Sequence, residues 1–318
     1  MIGPVDTPPA GAATATPAQN APLPASVALE LAHAVIRYAA QQADARVIVV
    51  KGLAAARLGL RPIWAGADVD VLVEPAAFER VVEVLRGSGW HPRPADDDAL
   101  AFPPHSVSLT HENWSCDLDV HFRFPGFERP DDEVFEQLWA HREDAEAAGS
   151  AIAVTDEIDT LLTLALHDLR NPRVRRHRDD LMRLARYAQR LEPDALVARA
   201  RELGALACAR PFLEPLVPVG RSLKTAWGAP SRSWQLRTLD PLARRLVLIV
   251  DGAYWRNGVP LRRLLAPPRT TLVKEGLPHE RPTPPQLARA YVRRWLRGIR
   301  LAPAALWNAA RFLAGRRG

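Results

Sequence analysis

The residues best suited to chemistry are aspartates at alternate positions in two short β-like runs. In Asp68-Val69-Asp70-Val71-Leu72-Val73 both aspartates project from one face of a strand, while Val69 and Val71 face the other way into a core. The same alternation over residues 116–123 aligns Asp117, Asp119, His121 and Arg123 on one face and Cys116, Leu118, Val120 and Phe122 on the other. If the two strands are neighbours, three or four carboxylates converge. Such crowding is costly unless cations neutralise it, and oxygen ligands on rigid elements suit Mg²⁺, which binds one or two carboxylates together with substrate phosphates. Two ions roughly 3.5–4 Å apart can activate an attacking oxygen and stabilise a leaving pyrophosphate. The D-x-D pattern alone is weak, because charged residues also decorate solvated sheet faces.

A second element is Val49-Val50-Lys51-Gly52, a strand ending in a glycine where the backbone can approach a triphosphate and Lys51 can add a point charge. It lacks the G-x-x-x-x-G-K-[ST] pattern of a P-loop, so in isolation it reads as an ordinary strand-to-helix turn. His121 orients Asp119, touches a metal, or is a packed histidine bonded to its neighbours. His167, in an apolar helix, reads as packing, and the arginine-rich run at 170–180 as a solvated turn.

These residues need a scaffold. The spacing of Val27, Leu29, Leu31, Ala34, Val35 and Tyr38 predicts an amphipathic helix from Ser26, followed by a buried strand at Val47 to Val50 and a short helix closed by Gly59. Strand 67–73 precedes a helix opened by Pro75 and stopped near Gly87 and Gly89. The runs 106–110 and 116–124, joined by the turn-like HENWS, form an antiparallel hairpin, which makes the sheet mixed. From Asp156 onward apolar residues recur three or four apart in DEIDTLLTLALHDL, RDDLMRLARYAQRL, DALVARARELGAL and PLARRLVLIVDGAYW, predicting a helical region.

The order of these motifs resembles an uncharacterised bacterial nucleotidyltransferase family of the DNA polymerase β-like superfold. The resemblance lies in Val50-Lys51-Gly52, an Arg (Arg61) before the D-x-D strand, a helix ending near Gly89-Trp90, the strand Asp119-Val120-His121-Phe122, and a helical region with His167 and Asp180-Leu181; it covers about residues 28–190. It implies an α+β fold with a mixed sheet followed by helices, two Mg²⁺ ions and an NTP donor. Asp68, Asp70 and Asp119 match the metal-binding catalytic carboxylates, with Asp119 also the base for the acceptor hydroxyl. Lys51, Gly52 and Arg61 match the nucleotide contacts, and Asp117 and His121 stand behind the carboxylates. NMP would pass to an acceptor hydroxyl or phosphate on a small molecule, peptide or protein. Two other readings use the same residues: an accessory protein that keeps the fold without catalysis, and a metal-dependent phosphohydrolase.

At 318 residues and 47% hydrophobic content, the chain can bury one large core or two modest ones. The expected divisions are an unstructured Pro/Ala-rich 1–24, a catalytic domain at 26–155, a helical domain at 156–257, a Pro/Arg-rich linker at 258–284 and a basic amphipathic helix at 285–318. Pro303 is expected to end the regular part of that helix. Cys116 and Cys208 form no CxxC pair, which excludes a thiolate zinc site of that kind. The N-terminus carries no secretory pattern, and a cytoplasmic protein is expected. The net charge of +6 is uneven: residues 281–318 hold nine arginines and no acidic residue, so the remainder carries −3. Sequence-specific nucleic-acid binding is therefore not expected, and the tail instead fits a peripheral membrane surface or an acidic partner, or equally a helix that packs on the protein's own body.

Overall fold

The structure, a computed structural model, describes residues 23–62, 66–93, 102–256, 258, 272 and 282–315. Nearly all of the expected unstructured N-terminus and most of the expected 258–284 linker lie outside the described residues. Among the described residues, seven strands form one mixed sheet in the order β3-β4-β5-β2-β1-β7-β6. They are β1 (Val47–Val49), β2 (Asp68–Val73), β3 (His91–Pro92), β4 (Ser106–Thr110), β5 (Asp117–His121), β6 (Glu143–Ala147) and β7 (Ser150–Val154). The expected hairpin is present, with β4 antiparallel to β5. β2 runs parallel to β5, in a register that sets Asp68 beside Asp117 and Asp70 beside Asp119.

The two faces of the sheet carry different covers. Val69, Val71 and Val73 of β2 and Val47 and Val49 of β1 pack under α1 (Ala25–Gln42) and α3 (Phe78–Gly87). Ile48 and Leu72 point the other way, into a larger core built with the helices that follow the sheet: α4 (Asp131–Ala140), α5 (Glu157–Leu169), α6 (Arg175–Ala188), α7 (Pro193–Glu202) and α8 (Leu206–Leu213). Because Asp68 and Asp70 share the pleat of Leu72, they look toward this helical half. Helix α5 is apolar around most of its circumference and buried accordingly, and its start is capped by the Asp156 side chain accepting from the Asp159 amide at 2.8 Å.

Several elements, among them β3, α4, β6, β7 and α8, were not expected from the sequence. The α4 helix and the β6–β7 hairpin lie at 131–154. The hairpin turns on Ala148 and Gly149, both at positive φ (48° and 68°), the geometry that fits the twist of a two-residue hairpin. Ala-Gly is a poor signal for that turn, and the Ala- and Glu-rich strand before it has helix-forming residues. After α8 come α9 (Val219–Ser222), α10 (Arg232–Thr238), α11 (Pro241–Val250), α12 (Ala253–Arg256) and α13 (Pro284–Ala314). The expectation that Pro303 ends α13 is corrected: the helix continues through it to Ala314. Pro303 is exposed, so the carbonyl left without its helical partner can turn to water, and the segment beyond is held by packing on α11 and α12.

One buried ion pair ties the helical half together. Arg199 of α7 donates from Nε and Nη2 to the two oxygens of Asp159 in α5 at 2.7 and 2.8 Å, with both side chains almost fully buried. Breaking such a pair from one side strands a charge, whereas replacing both partners by apolar groups of similar volume is tolerated. Arg199→Met is therefore expected to lower unfolding free energy in urea by about 3–5 kcal/mol, with most of the loss recovered in Asp159→Leu/Arg199→Met.

Candidate active site

The backbone brings Lys51 to Asp70. β1 pairs antiparallel with β2, and just beyond it the Val50 amide donates to the Asp70 carbonyl at 3.2 Å. The chain then turns at Gly52 into the short helix α2 (Gly52–Arg57), and Lys51 Nζ lies 2.5 Å from Asp70 Oδ1. From the neighbouring strand, His121 Nε2 lies 3.2 Å from the same oxygen and 3.4 Å from Asp119 Oδ2. Ser108 on β4 donates to Asp119 Oδ1 at 2.7 Å, as the Ser108–Asp119 register requires.

Lys51, Asp70 and His121 are 6%, 5% and 2% exposed, burial that charged groups tolerate only when paired. Burial would raise the Asp70 and Asp119 carboxyls. For Asp70, Lys51 and His121 outweigh it; for Asp119, His121, Ser108 and Lys51 do, so both are held below the usual carboxylate range. Burial would in turn discharge His121, but its contacts with Asp119 and Asp70 outweigh burial and raise its pKa, favouring the charged ring between the two carboxylates. Asp68 sits at the outer edge of this knot. Partial desolvation, added to the charge of Asp70 and only partly offset by Lys51, pushes it up to about 6.

The helical half closes on the knot with cations and neutral imidazoles. His167 Nδ1 accepts from Arg170 Nη2 at 2.5 Å and lies 3.4 Å from Lys51 Nζ. Burial and the charges of Arg170 and Lys51 keep His167 neutral. His105 lies with its ring centroid 5.9 Å from that of His121, and burial with Arg237, His121 and Arg170 pushes it down to about 3. Burial also lowers Arg170, against the pull of Asp70, Asp119 and Asp168.

Of the sequence-predicted residues, the fold thus gathers Asp68, Asp70, Asp119, His121 and Lys51. Gly52 adjoins them at φ +21°, and a Cβ built on it would meet nothing within 4 Å, so the backbone there is open to approach. Asp117 lies on the same face but is engaged by Arg93 Nη1 at 2.5 Å. Arg61 is not brought to the carboxylates; its guanidinium lies 3.8 Å from Asp180 of α6. Sequence reasoning missed Ser108 and His105, and read Arg170 with the solvated turn at 170–180. Ser108 was available from the hairpin, because alternation in SVSLT puts it on the face of its partner Asp119 once the register is known. Arg170 closes a helix and carries no periodic signal. His167 and His177, read as packing and as part of a solvated turn, instead form a group with Asp168 that adjoins the site, with His177 Nδ1 2.5 Å from Asp168 Oδ1.

Asp70, Asp119 and His121 present ligand atoms within 4.8 Å of one another, a spacing that could hold a metal ion. Together with a mixed sheet and parallel aspartate strands, this is the architecture of an α+β nucleotidyltransferase core followed by helices. A family model described as an uncharacterised nucleotidyltransferase matches residues 24–214, more than half of the chain, and the chain belongs to that family. Membership carries the general role of nucleotidyl transfer and an NTP as the implied substrate. No curated protein matches the sequence.

The knot separates the roles of its two aspartates. Asp70→Ala would leave Lys51 and His121 buried without their shared carboxylate and is expected to lower stability by about 3–5 kcal/mol. Asp68→Asn should leave stability unchanged or raise it. The pKa of Asp68 is higher in the folded chain than in the unfolded one, so its contribution is most favourable below about pH 4 and is lost as pH rises toward about 6. Urea unfolding of the ion-free protein between these pH values should therefore show a smaller fall in stability for Asp68→Asn than for the wild type.

Proposed function

We propose that the chain transfers NMP from an NTP, held with Mg²⁺ at Asp68, Asp70 and Asp119, to an acceptor hydroxyl or phosphate, releasing pyrophosphate. The observation that carries this reading is the parallel register of β2 and β5, which stacks Asp70 against Asp119 on the face that Lys51 reaches. The donor set fits the ion: three carboxylates supply hard oxygens from rigid strands, and the positive charge they require in the ion-free chain is met by Lys51 and His121. Two bound Mg²⁺ would supply Lewis-acid polarisation of the α-phosphate and neutralisation of the leaving pyrophosphate.

The chain's own groups supply the rest. Asp119 is ionised and more open than Asp70, with 22% of its side chain exposed against 6%, so its oxygen can take the proton of the attacking hydroxyl. Ser108 and His121 fix the orientation of Asp119 and share its charge. Lys51 has three donors, of which one meets Asp70 and a second faces His167 Nδ1 at 3.4 Å, so a third is left for a phosphate oxygen where the open backbone of Gly52 lets the donor approach. Arg61, 3.8 Å from Asp180 and away from the carboxylates, would have to leave that partner to join the phosphate contacts.

Calorimetric titration of ATP, GTP, CTP and UTP with Mg²⁺, paired with a pyrophosphate-release assay, tests this reading. One nucleotide should bind and turn over. Asp68→Asn, which spares the buried knot, should cut turnover by more than the roughly 10–100-fold typical of a supporting residue, and Ser108→Ala should fall within that range. Release of inorganic phosphate in place of pyrophosphate would establish a phosphohydrolase. A folded wild type that binds no nucleotide would leave the accessory-protein reading.

A further inference from the structure

The C-terminal helix carries a surface that lies outside the family match. α13 has 31 residues, about 46 Å of helix at 1.5 Å per residue, yet only Ala305 and Ala309 along it are buried. These two, with Phe312 and Leu313, pack against Leu236, Ala243, Val247 and Leu248 of the body, and Asn308 donates to Asp240 at 3.1 Å. The apolar residues of the opposite side have no such cover. Val292, Trp295, Leu296, Ile299, Leu306 and Trp307 are between 50% and 66% exposed. At about 100° per residue they fall in a single stripe about 120° wide, with Pro303 inside it.

Arg289, Arg293, Arg300 and Arg311 run along one flank of the stripe, all exposed. Residues 281–318 hold nine arginines and no acidic side chain, so the apolar stripe sits in a field of one sign. Among the described residues no helix is long and apolar enough to cross a membrane. An apolar face with two tryptophans and a flanking arginine row is the chemistry of a helix lying in a bilayer interface, with indoles at the headgroup level and cations drawn to anionic lipid. A nucleic acid would engage the arginines but leave the stripe in water.

We propose that α13 docks lengthwise on an anionic lipid surface, its Val292–Trp307 stripe entering the acyl boundary and its arginine row meeting lipid phosphates. This inference is independent of the nucleotide reading, since no residue of α13 belongs to the site.

The test is flotation of the full chain with phosphatidylcholine vesicles and with vesicles in which part of that lipid is replaced by phosphatidylglycerol. The wild type should float with the mixed vesicles only, and its tryptophan emission should shift to the blue. Ile299→Glu/Leu306→Glu should abolish flotation, and Arg293→Gln/Arg300→Gln should weaken partitioning roughly 25-fold, a factor of about five per cation. Both variants change exposed positions, and unchanged circular dichroism and nucleotide titration would establish that the body is intact. The proposal is overturned if the wild type stays with the lipid-free fraction, or if the stripe variant floats as the wild type does. It is equally overturned if the lipid-free wild type sediments as a dimer that the stripe variant dissolves and neither floats, which would make a second copy of the chain the occupant.

Discussion

The constraint on which the rest of this structure depends is the buried knot of Lys51, Asp70, His121 and Asp119. Charged groups this far from water are tolerable only when each has a partner at bonding distance, so the knot fixes its neighbours in turn. Lys51 must leave β1 where the Val50 amide meets the Asp70 carbonyl, and His121 must stand one pleat beyond Asp119 to reach both carboxylates. Ser108 must sit across the hairpin. A slip of β5 by one residue against β2 would turn Asp119 and His121 into the valine core beneath α1 and α3, so the hydrophobic pattern of one face specifies the chemistry of the other.

The helical half extends this logic. It covers the carboxylate face with an apolar core from α5 to α8, but where that core reaches the knot it supplies Arg170 and the neutral rings of His167 and His105. Two imidazoles kept uncharged by burial and by nearby cations let the arginines stand close to the carboxylates without adding charges of their own. The wall of the site is thereby polar, cationic and partly dry, the environment in which a phosphate is bound strongly and water competes poorly.

Much of this was legible in the sequence. The face on which the β2 and β5 aspartates lie could be anticipated because they alternate with large apolar residues in both runs, whereas the pairing of the two strands stood in the sequence only as a condition. Lys51-Gly52 was legible as the end of a β-branched run. What remained hidden depended on contacts between distant segments. Glu143 to Ala147 has helix-forming composition and becomes a strand because β7 offers it an edge. His167 looks like packing until Lys51 and Arg170 arrive beside it. Pro303 would stop an isolated helix, but α13 is held on both sides of it, through Thr283 and Gln286 in a capping box at its start and through Ala305 and Ala309 on the body at its end.

On the nucleotidyl-transfer reading, the charge balance of the ion-free knot also governs how ligands arrive. Three carboxylates face the two cations Lys51 and His121, a set near neutrality in which Asp68, with its pKa near 6, takes up part of the remainder. A divalent cation alone would be drawn by the aspartates but opposed by Lys51 and His121, which already occupy the buried oxygens. A polyphosphate alone would be drawn by Lys51 and Arg170 but opposed by Asp68 and Asp119. Each ligand removes the charge that opposes the other, so the two bind with positive coupling, and the swing of Lys51 from Asp70 toward phosphate is the local movement that such coupling requires. On that reading, the carboxylates that would hold the metal would also keep the site closed to a nucleotide that comes without it.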